Sequence, residues 1–138
     1  MRPSAPLPTV IALSVMALAG CGDTSTGPYG GSSSPSPQTD VSIVQGASTL
    51  GTGAFSPNPF TASFATHPTI VWFNADQGSG GLYGSAGTTH HLVSDTGLFD
   101  SNLMGPGSSY TFTFGAAGSF AYHCSIHPTM KGTITLTP

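Results

Sequence analysis

The chain has 138 residues, of which only 5% are charged, and its two basic residues, Arg2 and Lys131, stand against five aspartates. Two basic residues cannot form the positively charged face that binding to nucleic acid requires, so that class of function is excluded. The 19 glycines and 12 prolines, together with the scarcity of charged residues that solvate helices, favour short strands joined by turns.

Residues 1–20 are predicted to be an export signal. The apolar run 10–19 is too short to span a bilayer as a permanent helix and follows a basic start at Arg2. The run ends in LAGC, which resembles the bacterial lipobox, and that resemblance implies cleavage before Cys21 and attachment of lipid to this cysteine. The ALA at 17–19 also fits an ordinary secretory cleavage site, which would leave Cys21 as a free thiol.

Residues 21–40 are predicted to be a flexible tether. Glycine, serine, threonine and proline dominate this segment, which has almost nothing to bury. Joined to a lipidated Cys21, the tether would hold a domain away from a bacterial membrane, in the periplasm or at the cell surface. Without the lipobox, the same composition would fit a tail that has no function.

Residues 41–138 are predicted to be one all-β domain. No segment has a convincing helical period, and turn clusters such as SPNP, GPGSS and GAAG separate the β-rich runs, which favours a two-sheet sandwich or a barrel. The predicted strands are VSIVQ at 41–45, FTASF at 60–64, TIVWFN at 69–74, HHLVS at 90–94, SYTFTF at 109–114, GSFAYHC at 118–124 and GTITLT at 132–137. The glycine-rich segment 75–89 is a long loop, either a partner surface or an insertion.

The stretch FAYHCSIHPTMKG contains a cysteine, two histidines and a methionine. Strand alternation puts Cys124 on the inward face with the large aromatic residues and His123 on the outward face. The segment 125–130 contains a proline and loses the alternation, so it predicts a loop that brings His127 and Met130 over Cys124. Taken singly, Cys124 would fit an inert buried thiol and Met130 a core residue.

A second imidazole is predicted from the strand 90–94. With Val93 as the apolar anchor, His91 faces inward and His90 outward, and a register shift of one residue would exchange the two histidines. Two histidines, one cysteine and a weak axial methionine are the ligands of an electron-transfer copper site. A structural zinc site would have no thioether, and the single cysteine of the domain excludes an iron–sulfur cluster.

The segment 41–138 resembles the cupredoxins, the plastocyanin and azurin family of blue copper proteins. YHCSIHPTMKG has the Cys-x-x-His-x-x-Met spacing of its short-loop members and is most similar to amicyanin. VWFNAD followed by HHLV is similar to the family's strand that ends in Asn and an acidic residue and to its His-x-Val ligand strand, and FDSNLMGPGSSYTFTF resembles the connecting segment before the ligand loop. The resemblance implies a Greek-key β-sandwich of about eight strands with copper at one end, bound by His91, Cys124, His127 and axial Met130. In the family, the residue after the first ligand histidine commonly hydrogen-bonds to the ligand loop. Leu92 follows His91 here, and its side chain cannot form that bond.

The predicted function is that of a monomeric protein with one type 1 copper, which carries single electrons between extracytoplasmic redox partner proteins. The membrane would be contacted only through the lipid on Cys21, and the electron would leave through His127 at the rim of the fold. Copper storage or delivery is the alternative function, and a purely structural or adhesion module is a third. Enzymatic activity is not expected, because the copper oxidases and nitrite reductases of the wider family use a second copper centre.

Overall fold

The structure is a computed structural model, and it describes residues 38–78 and 86–138. The predicted export signal, the lipidation at Cys21 and all but the last residues of the tether lie outside the described residues, as does the middle of the glycine-rich loop. Within the described ranges, no helix is long and apolar enough to cross a membrane.

The described residues form nine β-strands and two short 3-10 helices. The strands are β1 (Val41–Ile43), β2 (Phe55–Ser56), β3 (Phe60–Ser63), β4 (Thr69–Asn74), β5 (His90–Ser94), β6 (Asp100–Met104), β7 (Ser109–Thr113), β8 (Gly118–Cys124) and β9 (Lys131–Thr137). The 3-10 helices, Ala47–Thr49 and Gly51–Ala54, lie between β1 and β2. Seven of these strands were predicted from the β-rich runs, whereas β2 and β6 were not.

The strands form two sheets that share one core. One sheet has the order β2-β1-β4-β7, and the other has the order β3-β9-β8-β5-β6. The pairs β1–β4 and β3–β9 are parallel, and the remaining pairs are antiparallel. The expected all-β sandwich is therefore confirmed, with nine strands in place of about eight.

The core follows from alternation along the strands. In β4 the side chains alternate between buried and half-buried, which puts Ile70 and Trp72 inside. Tyr122 of β8 packs edge-on against Trp72, with 5.8 Å between ring centroids. The Tyr122 ring lies over Gly132 of β9, where a Cβ would come within 2.3 Å of the ring, so this position requires glycine.

The candidate site lies where the five-stranded sheet ends. Strands β5 and β8 are neighbours, and Leu92 is directly opposite Cys124 in their register. The segment 125–130 connects β8 to β9 at this end. Residues from β5, from the end of β8 and from the connecting loop are thus brought together.

Candidate metal centre

Three side chains with metal-binding atoms converge at this end of the sandwich. The ligand atoms of His90, Cys124 and His127 all lie within 4.8 Å of one another. The Cys124 Sγ is 3.8 Å from the Nδ1 of His90 and 3.7 Å from the Nδ1 of His127. His90 and Cys124 are completely buried, and His127 is half-buried. The three donors are therefore aimed at one small volume at the rim of the core.

Strand alternation places Cys124 as predicted. The burial pattern of β8 leaves Tyr122 and Cys124 inside, while His123 between them points outward. The outward His123 ring contacts Asp95, with 2.6 Å between Nδ1 and Oδ1. His123 is thus a surface residue, as the alternation indicated.

The loop after Cys124 is closed by two backbone hydrogen bonds. The N–H of Cys124 donates to the carbonyl of Met130 at 3.1 Å, and the N–H of Met130 donates to the carbonyl of His127 at 2.9 Å. Pro128 cannot continue a ladder, which suits this tight return to β9. The closed loop, here called the ligand loop (125–130), holds His127 beside Cys124 and leaves Met130 fully buried.

The structure corrects the predicted first ligand from His91 to His90. In β5 the buried residues are His90, Leu92 and Ser94, so His91 lies on the other face of the sheet. Because residues opposite each other in an antiparallel pair share a face, the pairing of Leu92 with Cys124 puts His90 on the side of the thiol. The His91 ring instead contacts Asp100 and Ser125.

The wrong choice came from treating Val93 as the inward anchor. Leucine has more apolar surface to bury than valine, and in this strand Leu92 is completely buried while Val93 is half-buried on the outer face. With His91 as the predicted ligand, the next residue was Leu92, whose side chain cannot hydrogen-bond to the ligand loop. With His90 as the ligand, the next residue is His91, whose Nδ1 lies 2.8 Å from the Ser125 hydroxyl in the ligand loop.

Asp76 orients the His90 ring, a role that was not foreseen from the sequence. The Nε2 of His90 lies 3.1 Å from Oδ2 of Asp76, and the two side chains are 0% and 2% exposed. An ionised carboxylate only accepts hydrogen bonds, so Nε2 donates a proton to Asp76 and Nδ1 faces Cys124, where it can donate to the thiolate when protonated and bind a metal when neutral. Carboxylate partners of this kind orient metal-binding histidines in many proteins.

The Asp76 carboxylate is itself held in place. Its Oδ1 accepts the N–H of Gly46 at 2.9 Å. Although burial raises the pKa of Asp76, the hydrogen bonds from Gly46, His90 and Thr88 outweigh this and lower the pKa below its ordinary value of 3.8. Asp76 is therefore a carboxylate at neutral pH.

Asn74 fixes the backbone that carries Asp76. Its buried Nδ2 donates to the carbonyls of Thr88 and Met104 at 2.8 and 2.9 Å, and its Oδ1 accepts the N–H of Asp76 at 3.0 Å. These bonds tie the start of the glycine-rich loop to its end and to β6. The segment 74–76 (Asn-Ala-Asp) thus positions the His90 ring through hydrogen bonds.

The surroundings of Cys124 favour the thiolate. Burial raises the pKa of Cys124, but hydrogen bonds with the His90 ring, the His91 N–H and His127 lower the pKa to about 6. The His91 N–H lies 3.5 Å from the sulfur. Since the thiolate is the form that binds metals, the site is prepared for a cation.

The donor set fits copper. Nitrogen and thiolate ligands bind first-row metals at about 2.0–2.3 Å, and for a trigonal arrangement this places N and S roughly 3.8 Å apart. The two N to S separations of 3.8 and 3.7 Å match that spacing. Two imidazoles, one thiolate and a buried thioether at the end of the ligand loop are the soft and nitrogenous ligands that copper prefers.

His67 does not join the three-residue cluster. It lies 2.9 Å from Asp40, away from Cys124 in the fold, and its side chain is 39% exposed.

Comparison with known proteins assigns the fold to a family. A family model described as copper binding proteins, plastocyanin/azurin family, matches residues 48–137. The chain belongs to this family. Cupredoxins bind copper, and the residues of this chain that would hold one ion are His90, Cys124 and His127, with Met130 buried at the end of the ligand loop.

One relative and two solved structures are similar to this chain. Plastocyanin from Scenedesmus fuscus is 30% identical over 110 residues, which cover 70% of this chain and 99% of that protein. The structure of a novel purple cupredoxin from Nitrosopumilus maritimus has a TM-score of 0.54 at 22% identity and covers 72% of this chain and 100% of that one. A Cu-containing nitrite reductase from Thermus scotoductus has a TM-score of 0.50 at 27% identity, over 72% of this chain but only 22% of its own.

Proposed function

We propose that this cupredoxin is a type 1 copper protein that carries single electrons between redox partner proteins. The observation that carries the proposal is the convergence of His90, Cys124 and His127, with the Sγ of Cys124 3.8 and 3.7 Å from the two Nδ1 atoms. Bound copper supplies the Cu(II)/Cu(I) couple. Met130, fully buried at the end of the ligand loop, would hold the ion together with these three residues through its thioether sulfur.

The donors are held by contacts that do not depend on a metal. His90 is fixed by Asp76, Cys124 is fixed by its strand and by the His91 N–H, and the ligand loop is closed by backbone hydrogen bonds. A site fixed in this way changes little when its charge changes by one unit, since its ligands cannot rearrange freely. Small rearrangement favours rapid electron transfer.

His127 is the proposed route for the electron. It is half-buried, and Ile126 beside it is 46% exposed, so the ring reaches the surface next to an apolar side chain. A partner that packs against Ile126 would exclude water close to a ligand of the metal.

Electron transfer without catalysis is favoured over an enzymatic role. The nitrite reductase resembles this chain over 22% of its own length. The described residues contain one cluster of metal-binding side chains, that of His90, Cys124 and His127.

The proposed location is outside the cytoplasm, on a lipid anchor. The LAGC motif and the polar segment that follows it support this part of the proposal. Metabolic labelling with radioactive palmitate tests it directly, because label should be incorporated into the wild type and lost in Cys21→Ser. Equal labelling of the two proteins would contradict the anchor.

The electron-carrier proposal is tested on purified protein loaded with Cu(II). We expect an intense visible thiolate-to-copper charge-transfer band, lost in Cys124→Ser. The band should disappear with ascorbate and return with ferricyanide over repeated cycles, with the copper retained through gel filtration. A colourless protein that binds zinc equally well would contradict the copper site, and copper lost to a chelator after each reduction would favour storage or delivery.

A further inference from the structure

His91 does not belong to the metal cluster, yet its ring links the ligand loop to strand β6. Its Nδ1 lies 2.8 Å from the Ser125 hydroxyl, and its Nε2 lies 2.6 Å from Oδ1 of Asp100. Ser125 is the first residue of the ligand loop, and its own N–H donates to the carbonyl of His91 at 2.9 Å. The backbone and the side chain of His91 therefore both hold Ser125.

The direction of each hydrogen bond follows from the carboxylate. Asp100 can only accept, so the His91 ring carries its proton on Nε2 and donates it to Asp100. The Nδ1 of the ring is then an acceptor, and the Ser125 hydroxyl donates to it. An imidazole with this tautomer connects Asp100 to Ser125 without an unmatched donor or acceptor.

Strand β6 departs from regular geometry at the point where it presents Asp100. Between the pairs His91–Leu103 and Val93–Asp100, β6 advances three residues while β5 advances two. Asn102 adopts a left-handed conformation with φ 55°, and its N–H donates to Oδ1 of Asp100 at 2.8 Å. Bulges of this kind redirect side chains and are common beside functional sites.

A serine repairs the ladder that the bulge interrupts. The N–H of Leu92 donates to the Ser101 hydroxyl at 2.8 Å, and that hydroxyl donates to the carbonyl of Asn102. The polar sequence DSN at 100–102 thus forms a defined turn within the strand. This turn directs the Asp100 carboxylate toward the His91 ring.

We propose that Asp100 is a positioning residue for the copper centre, acting through His91 and Ser125 to fix the start of the ligand loop and the His91 N–H beside the Cys124 sulfur. The inference rests on the proposed copper function. It explains how this chain anchors its ligand loop with an imidazole and a carboxylate.

A double-mutant cycle on the copper-loaded protein tests the proposal. We expect Asp100→Asn and Ser125→Ala each to speed copper release to a chelator by about two- to fivefold, the range of an exposed charged hydrogen bond. The double variant should release copper no faster than Ser125→Ala alone, because a weakened bond between Asp100 and His91 no longer acts on the ligand loop once the Ser125 hydroxyl is gone. The charge-transfer band should shift in both single variants, since the hydrogen bonding of the sulfur changes.

The matched control is Asp95→Asn. Asp95 and His123 form a pair of the same length, 2.6 Å, with similar exposure, but among the described residues neither side chain hydrogen-bonds to the ligand loop. Asp95→Asn removes the same charge and should leave the release rate and the band unchanged. Asparagine at 100 keeps an oxygen that can accept the Asn102 N–H, and circular dichroism verifies that each variant is folded.

Two results would overturn the proposal. The first is that Asp100→Asn speeds copper release no more than Asp95→Asn does. The second is that Asp100→Asn speeds copper release by the same factor in the Ser125→Ala background as in the wild type. Hydrogen exchange of the Ser125 N–H in the metal-free protein tests the positioning role of Asp100 independently of the proposed copper function. We expect Asp100→Asn, but not Asp95→Asn, to speed that exchange, even if the wild type shows no charge-transfer band. Unchanged exchange would refute the anchoring role by itself.

Discussion

Replacing Asp76 by asparagine should raise the reduction potential of the copper site. The Asp76 carboxylate is 2% exposed and lies 3.1 Å from Nε2 of His90, the proposed ligand that faces Cys124 through Nδ1. The buried negative charge stabilises Cu(II) more than Cu(I), and it also holds His90 in the tautomer that can bind a metal. Asparagine keeps the shape and an acceptor oxygen but removes the charge, so the change isolates the electrostatic effect.

The magnitude follows from the position of Asp76 behind a ligand. Loss of a carboxylate partner of a metal-binding histidine typically weakens metal binding by about 10–100-fold. If that loss falls on Cu(II) and spares Cu(I), each tenfold change corresponds to about 59 mV for a one-electron couple, so the potential should rise by roughly 60–120 mV.

The assay is a spectroelectrochemical titration of the charge-transfer band. Asp40→Asn is the control, because Asp40 is also nearly buried and bonds a histidine, with His67 Nε2 at 2.9 Å and the Val71 N–H at 2.8 Å. Asp40→Asn should leave the potential unchanged. A potential in Asp76→Asn that is unchanged, lowered, or moved equally by Asp40→Asn would refute the reasoning.

Three further predictions follow from the same contacts. His90→Ala should abolish or strongly alter the charge-transfer band, whereas His91→Ala should retain it, and the opposite pattern would restore His91 as the ligand. Gly132→Ala should lower the free energy of unfolding by about 1–3 kcal/mol, because its Cβ would meet the Tyr122 ring. Gly105→Ala is the control, because a Cβ at position 105 would meet nothing within 4 Å, and it should change the free energy of unfolding little. Denaturant titration measures both variants, and an equal loss of stability in the two would contradict the packing argument. Because the pKa of Asp76 is lowered on folding, its stabilisation is present above pH 3.8 and is lost as the pH falls through the folded value, so the stability of wild type and Asp76→Asn in the metal-free protein should converge in acid. A stability difference that persists there would contradict this assignment.

Much of the fold could be read from the sequence, because alternation and turn residues act locally. The predicted runs correspond to seven strands, and the inward position of Cys124 follows from its spacing to the aromatic residues of β8. Strand β2 has two residues and carries almost no periodic signal. Strand β6 contains the polar turn 100–102, which reads as a loop, and only its pairing with β5 makes it a strand.

The site was partly predictable for the same reason. Cys124, His127 and Met130 lie within one short segment, so their spacing in the sequence is enough to predict that they lie close together. The choice between His90 and His91 depends on which of Leu92 and Val93 is in the core, and that is decided by the partner strand. The contribution of Asp76 depends on a loop that brings residue 76 to residue 90, which local sequence patterns do not encode.

Crystallography of the copper-loaded protein, with diffraction data collected on both sides of the copper absorption edge, tests the central claim most directly. We predict a single strong anomalous peak in the domain, within about 2.0–2.3 Å of the Nδ1 atoms of His90 and His127 and the Sγ of Cys124, with Met130 on its axial side. A peak at His91 and Asp100, or none near Cys124, would contradict the site described here.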